Sequence, residues 1–157
     1  MHKIVIIMGS KADLDWSKKI AEAAEKLGLK PIMRIASAHK VPLNCLEIIR
    51  EYEKENVVFI TVAGRSNALS GFCDAQTHCP VIACPPYGDK FAGNDVYSSL
   101  RMPSGVAPMV ILEPENAALA AAKIIAVFDE NIRNKIKIFQ ETNRNKLIED
   151  DNSLITK

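Results

Sequence analysis

Short apolar runs separated by amphipathic stretches recur along the chain. Residues 4–8, 31–35 and 57–62 are nearly continuous apolar runs, the pattern of strands buried on both faces of a parallel sheet. Residues 81–84 form a fourth run, stopped by Pro85 and Pro86, and residues 109–112 a fifth. Between the runs, apolar residues return at helical spacing. Trp16, Ile20, Ala24 and Leu27 share one face of a helix over 13–27, and Gly28 is its stop. Pro42 opens a second helix reaching about Lys54, with Cys45, Ile48, Ile49 and Tyr52 as its buried stripe. A third helix is expected over 70–77, and one over 116–128 is so rich in alanine that close helix–helix packing is predicted. Residues 130–150 are charged yet periodic through Ile132, Ile136, Phe139 and Leu147, which predicts a solvated helix docking on a neighbouring subunit, with frayed residues after it. The segment 85–105 reads as a long loop with a short helical patch over 95–100. Loops this long in a compact domain are more often functional than idle.

Alternation of strand and helix implies a parallel sheet covered on both faces, a three-layer α/β/α sandwich of the flavodoxin-like kind. The common five-strand order, 2-1-3-4-5, sets strands 2, 1 and 3 side by side. Each of these three is followed by a short polar loop: Gly9-Ser10-Lys11-Ala12-Asp13, Ala36-Ser37-Ala38-His39-Lys40 and Ala63-Gly64-Arg65-Ser66-Asn67. The loops therefore meet at the carboxyl edge of the sheet, where ligands bind in such folds.

With 157 residues, 48% apolar and 25% charged, the chain suits one domain over 1–157, with a core over about 4–128 and a C-terminal helix over about 130–150. A net charge of +1 gives no global reason to bind nucleic acid or an anionic membrane. No apolar run approaches a membrane span, and the first residues lack a signal peptide's apolar stretch, so a cytoplasmic location is expected. Cys45, Cys73, Cys79 and Cys84 form no C-x-x-C pair, and Cys73, His78 and Cys79 fit no common metal spacing. They read as buried free thiols, and no metal is expected.

The loops carry an inventory suited to a phosphorylated small molecule with a proton to move. Gly9 admits close backbone approach, Ser10 can donate to a phosphate oxygen, and the following helix aims its N-terminus at the same anion. Asp13 either caps that helix or accepts from ribose hydroxyls. The first loop is neither Walker A nor G-x-G-x-x-G, which disfavours nucleoside triphosphates and dinucleotides. His39 is the histidine at a strand-to-helix edge, and its setting between Ser37 and Lys40 sets a proton donor or acceptor against the reading of a surface residue. Lys40 and Arg65 are cations for a phosphate or merely solvated side chains; Gly64, Ser66, Ser70 and Gly71 around Arg65 suit an anion nest. Physical reasoning from the residues alone reaches a phosphate-ligand site with a candidate acid/base and no particular reaction.

The strings MGSKADLD, SAHK, AGRSNALSG, YSSLRMPSG and NAALAAAKI resemble the phosphoribosylaminoimidazole carboxylase (PurE) family of purine biosynthesis, over residues 4–128. One branch of that family is a mutase that moves a carboxylate from N5 to C4 of aminoimidazole ribonucleotide. The other carboxylates the ribonucleotide directly with CO2. The mutase usually reads SAHR and AGGAAHLPG. Here Lys40 follows His39, Ala68 takes the place of the mutase's second histidine, and Ser70 that of its proline. These departures, with Ser98-Ser99-Leu100-Arg101, resemble the direct carboxylase.

The resemblance implies carboxylation of 5-aminoimidazole ribonucleotide (AIR) at C4 by CO2, giving 4-carboxy-5-aminoimidazole ribonucleotide (CAIR), with no ATP and no cofactor. It implies His39 as the catalytic histidine, Ser10 and Asp13 at phosphate and ribose, and Ser37 and Lys40 as further phosphate-loop residues. Gly64, Arg65, Ser66 and Asn67 match the loop beside the base and carboxyl group. It also implies a homo-octamer with sites at subunit junctions. The N5-carboxyaminoimidazole ribonucleotide mutase is the alternative, and a non-enzymatic phosphate-ligand module a distant one. A receiver domain is disfavoured because strand 3 ends in Thr61-Val62-Ala63 without an acid, and flavin binding because only Tyr87 is a suitably placed aromatic.

Overall fold

In the computed structural model, which describes residues 1–88 and 93–155, five parallel strands form one sheet in the order β2-β1-β3-β4-β5. The strands are β1 (Lys3–Met8), β2 (Lys30–Ile35), β3 (Val58–Val62), β4 (Val81–Ala83) and β5 (Met109–Val110). The helices are α1 (Leu14–Lys26), α2 (Pro42–Tyr52), α3 (Ala68–Ala75), α4 (Tyr97–Leu100), α5 (Pro114–Ile125) and α6 (Glu130–Ile155). Strand order and three-layer architecture are those the alternation predicts.

The continuous apolar strands feed two cores because successive side chains point to opposite faces. Ile4, Ile6 and Met8 of β1 join Val58, Ile60 and Val62 of β3 beneath α1, α5 and the start of α6. Val5, Ile7 and Phe59 pack on the other face under α2 and α3, with Cys45, Ile48, Ile49 and Cys73. The alanines predicted to pack closely do so within the chain: Ala117, Ala118, Ala121 and Ala122 are buried with Ile20, Ala21 and Ala24 of α1. All four cysteines are buried free thiols. Burial pushes the Cys84 thiol up to about 12.

Turn chemistry fixes the connections. At the end of α1, Gly28 takes a left-handed φ of 83°; its N–H bonds the Glu25 carbonyl at 2.9 Å, and the Leu29 N–H bonds that of Ala24 at 2.9 Å, a Schellman motif. Asp129 Oδ1 accepts the Ile132 N–H at 2.9 Å and starts α6, while the Arg133 side chain donates to the Ala126 and Val127 carbonyls at 3.0 and 3.1 Å and closes α5. Element ends differ from the sequence expectation in four places. Asn67 caps α3 and moves its start to Ala68, α5 starts at Pro114, β5 has only two residues, and α6 runs to Ile155. The last agrees with composition: no Gly or Pro interrupts α6. Among the described residues no helix is long and apolar enough to cross a membrane.

Candidate active site

The three polar loops converge. Where β1 ends, the Gly9 N–H donates to the Val62 carbonyl of β3 at 2.8 Å, and a β-carbon on Gly9 would stand 3.3 Å from that of Ala63. The Ala36 N–H donates to the Met8 carbonyl at 2.8 Å and ties the second loop to the same strand end. Between them lies a cavity of about 570 Å³ at the carboxyl edge of the sheet. The first loop lines it with Gly9, Ser10, Ala12 and Asp13, the second with Ser37, His39 and Lys40, and the third with Ala63, Gly64, Arg65 and Ser66. The segment after β4 adds Pro86, Gly88 and Asp95.

Ser10 and Asp13 are locked together by the turn 11–13 that precedes α1. Ser10 Oγ accepts the Ala12 N–H at 3.2 Å; Asp13 Oδ2 accepts the Ser10 N–H at 2.9 Å and lies 3.2 Å from the Ser10 hydroxyl. Asp13 stands at the N-cap position of α1 but its side chain makes no cap bond to that helix; it bonds back to Ser10 in the preceding turn and lines the cavity. Partial burial pushes its carboxyl above the ordinary value, opposed by the bonds from Ser10.

The second loop is a single turn closed by Ser37. Its Oγ accepts the Lys40 N–H at 3.3 Å and its carbonyl the Val41 N–H at 2.9 Å, and Pro42 then opens α2. His39 and Lys40 are exposed on the rim of the cavity.

In the third loop Arg65 holds a left-handed φ of 61°, an uncommon conformation for a residue with a β-carbon. Asn67, Ser70 and Gly71 do not line the cavity. Asn67 is 3% exposed; its Oδ1 accepts the Ser70 N–H at 3.3 Å as the cap of α3, and its Nδ2 donates to Ser99 Oγ at 2.8 Å. Ser70 is fully buried, and a β-carbon on Gly71 would meet Met102 Sδ at 2.9 Å. Asn67 and Gly71 meet the 94–102 segment, and none of the three is among the residues that line the cavity. Ser98 Oγ completes the join, accepting the Asn67 N–H at 3.0 Å and donating to the Asp95 carbonyl at 2.8 Å.

The sequence reasoning missed Asp95 and Pro86 as cavity residues; its only signal was the length of the segment that carries them. That segment is pinned at its start. The Tyr87 hydroxyl donates to Glu113 at 2.8 Å, and its ring stands edge-on to Trp16 with centroids 5.9 Å apart.

An open parallel sheet with a polar cleft at the point where its strand order reverses defines an α/β protein that takes small ligands at its carboxyl edge. The family model described as AIR carboxylase matches residues 3–146. A phosphoribosylaminoimidazole carboxylase of Archaeoglobus fulgidus is 64% identical over 152 residues, covering 97% of this chain and 84% of that protein. The crystal structure of Treponema denticola PurE superposes with a TM-score of 0.96 at 46% identity, covering 98% of this chain and 99% of that one. A bifunctional phosphoribosylaminoimidazole carboxylase/phosphoribosylaminoimidazole succinocarboxamide synthetase of Drosophila melanogaster is 43% identical over 139 residues, 87% of this chain and 32% of that longer protein. The chain belongs to the AIR carboxylase family, enzymes of purine biosynthesis.

Proposed function

We propose that this enzyme is the direct carboxylase, joining CO2 to C4 of AIR reversibly and without ATP. The observation that carries the reading is the make-up of the cavity: His39 is the one imidazole among its described lining residues, and Ala68, where the mutase has its second histidine, is exposed outside the lining. The names of the Archaeoglobus fulgidus and Drosophila melanogaster relatives, a carboxylase and a bifunctional carboxylase/synthetase, support the same reading.

In this mechanism Ser10, Ser37 and Lys40 hold the nucleotide's phosphate and Asp13 its ribose. Gly64, Arg65 and Ser66 border the base and the incoming CO2. Conjugation with the exocyclic amine makes C4 of the aminoimidazole electron-rich, like an enamine carbon. C4 attacks the carbon of CO2, and one C–O π pair moves to oxygen as the carboxylate forms. The tetrahedral C4 still carries its proton; His39 removes it and the ring becomes aromatic again. In reverse, protonated His39 delivers the proton to C4 and CO2 departs. The substrate delocalises the charge, so the step draws on no ATP, biotin or metal. Holding a dilute gas beside C4 makes the encounter effectively unimolecular, and a dry pocket protects a labile carboxylate.

His39→Asn tests the role of the base. Nucleotide affinity stays within about threefold while turnover falls by about 10²-fold or more; wild-type turnover in that variant contradicts the assignment.

The same proposal includes a cytoplasmic homo-octamer. Its support is α6, where Ile138, Phe139, Leu147, Ile148, Leu154 and Ile155 are exposed in the isolated chain. Size-exclusion chromatography with multi-angle scattering reads an eight-chain mass if this holds and a monomer mass if it does not.

A further inference from the structure

Asp95 is the acid that the segment after β4 brings to the cavity, among the described residues. It sits in the short turn Asn94–Val96 and is fixed from behind through its own carbonyl, which accepts the Ser98 hydroxyl at 2.8 Å. Because Ser98 also accepts the Asn67 N–H, Asp95 is tied to the third loop. Its carboxylate overlies Gly64: Oδ2 lies 4.0 Å from where a β-carbon on that glycine would stand. Its Oδ1 is shut from water and has no hydrogen-bond donor among the described residues. The cavity's cations, Lys40 and Arg65, form no ion pair with it there. A carboxylate oxygen out of water and unpaired is costly. An oxygen that water does not reach is closed to a ligand as well, so Oδ2, beside Gly64 at the cavity, is the oxygen that can meet a ligand's donor.

We infer that Asp95 accepts a hydrogen bond from the exocyclic amine of the aminoimidazole ring and is a catalytic residue of the carboxylation, an inference that rests on the function proposed above. The electron balance of the step gives the reason. As C4 forms its bond to CO2, the C4=C5 π pair becomes the new C–C bond. The amine lone pair moves into the C5–N bond, and a positive iminium develops on that nitrogen. The charge persists until His39 takes the C4 proton and the C4=C5 bond returns. A carboxylate on the amine is therefore worth more in the charged intermediate than in neutral AIR, the condition for raising turnover rather than affinity alone. It also raises the electron density of C4 before attack.

Asp95→Asn is the first test, because the amide oxygen still accepts a hydrogen bond but carries no charge. Turnover of AIR with CO2 falls on the order of 10²-fold while KM for AIR moves less than about threefold. Asp95→Ala removes the acceptor. Wild-type enzyme binds AIR about tenfold or more tighter than the imidazole ribonucleotide lacking the amine, and in Asp95→Ala that preference drops below about threefold. Thermal melts accompany both variants. Turnover of Asp95→Asn within threefold of wild type overturns the inference. So does equal weakening of both nucleotides in Asp95→Ala, which assigns the carboxylate to the ribose or to the turn. Should a variant fail to fold, wild-type enzyme that shows no preference for the amine overturns it by itself. Wild-type enzyme inactive on AIR and CO2 removes the underlying function, an outcome distinct from active wild type with unaffected variants.

Discussion

The backbone carbonyl of Pro86 closes over Gly64, so that a β-carbon on Gly64 would stand 2.9 Å from its oxygen. Two loops that bear cavity residues thus meet backbone to backbone, and the absence of a side chain at Gly64 is what permits it. Gly64→Ala forces one of them aside. The expected cost is about 1–3 kcal/mol of stability, a fall of several degrees in Tm. Turnover drops more than tenfold, because small displacements of positioned groups are amplified in rate. Calorimetry and a steady-state assay check this; wild-type values for both contradict it.

Arg65 carries a cation into the cavity on a left-handed backbone with φ 61°. The mutase string has glycine at this place, where the conformation is free of penalty. In Arg65→Gly the relief of backbone strain and the greater freedom of the unfolded chain oppose each other, so stability changes by less than about 1 kcal/mol. The KM for nucleotide rises by about tenfold or more, since the loss is of charge at the ligand. Denaturant titration and kinetics separate the two, and an unchanged KM contradicts the role.

Asn67 behaves in the opposite way. Its side chain caps α3 through the Ser70 N–H and donates to Ser99. Asn67→Ala costs about 1–3 kcal/mol in stability, with KM for nucleotide changed less than about twofold at temperatures where the variant is folded. A large KM effect with intact stability restores it to the binding residues.

Asp13 gives a pH signature. Burial raises its carboxyl in the folded chain above the ordinary 3.8, outweighing the opposing bonds from Ser10. The folded state therefore binds more protons than the unfolded state between the two values. The contribution of Asp13 to stability is fully present below 3.8 and is lost as pH rises through the folded-state value. Asp13→Asn does not ionise. Relative to wild type it gains stability as pH rises across that window, while losing activity with the ribose contact. Urea midpoints measured from pH 3 to 7 check this, and a difference that does not vary with pH contradicts it.

Much of the fold was legible because strand alternation and helix stops are local signals. The runs 4–8 and 57–62 are apolar except for the buried Thr61 because β1 and β3 are covered on both faces, and Gly28 marks the end of α1 in the conformation its lack of a β-carbon allows. The convergence of the loops after β1, β2 and β3 followed from strand order alone. The assignments that shifted depend on contacts distant in sequence. Asn67 reads as a loop residue until Ser98 and Ser99 arrive from the 94–100 segment and occupy its backbone and side chain. Ser70 and Gly71 read as anion-nest residues, but α3 begins before them and turns them inward. Asp95 was hidden for the same reason: it lies thirty-one positions beyond Gly64 in sequence, and no local pattern signals that the two share a cavity.

The central claim is the branch of the reaction, and one comparison tests it directly. Formation of CAIR is followed without ATP from two starting mixtures: AIR with CO2, in the presence of carbonic anhydrase to maintain the gas, and N5-carboxyaminoimidazole ribonucleotide, corrected for its spontaneous breakdown. A direct carboxylase turns over the first rapidly and the second only at the rate at which it breaks down to AIR and CO2. Rapid use of the N5-carboxylated nucleotide with little use of AIR and CO2 contradicts the account, and shows that Lys40 and Ala68 do not mark the branch.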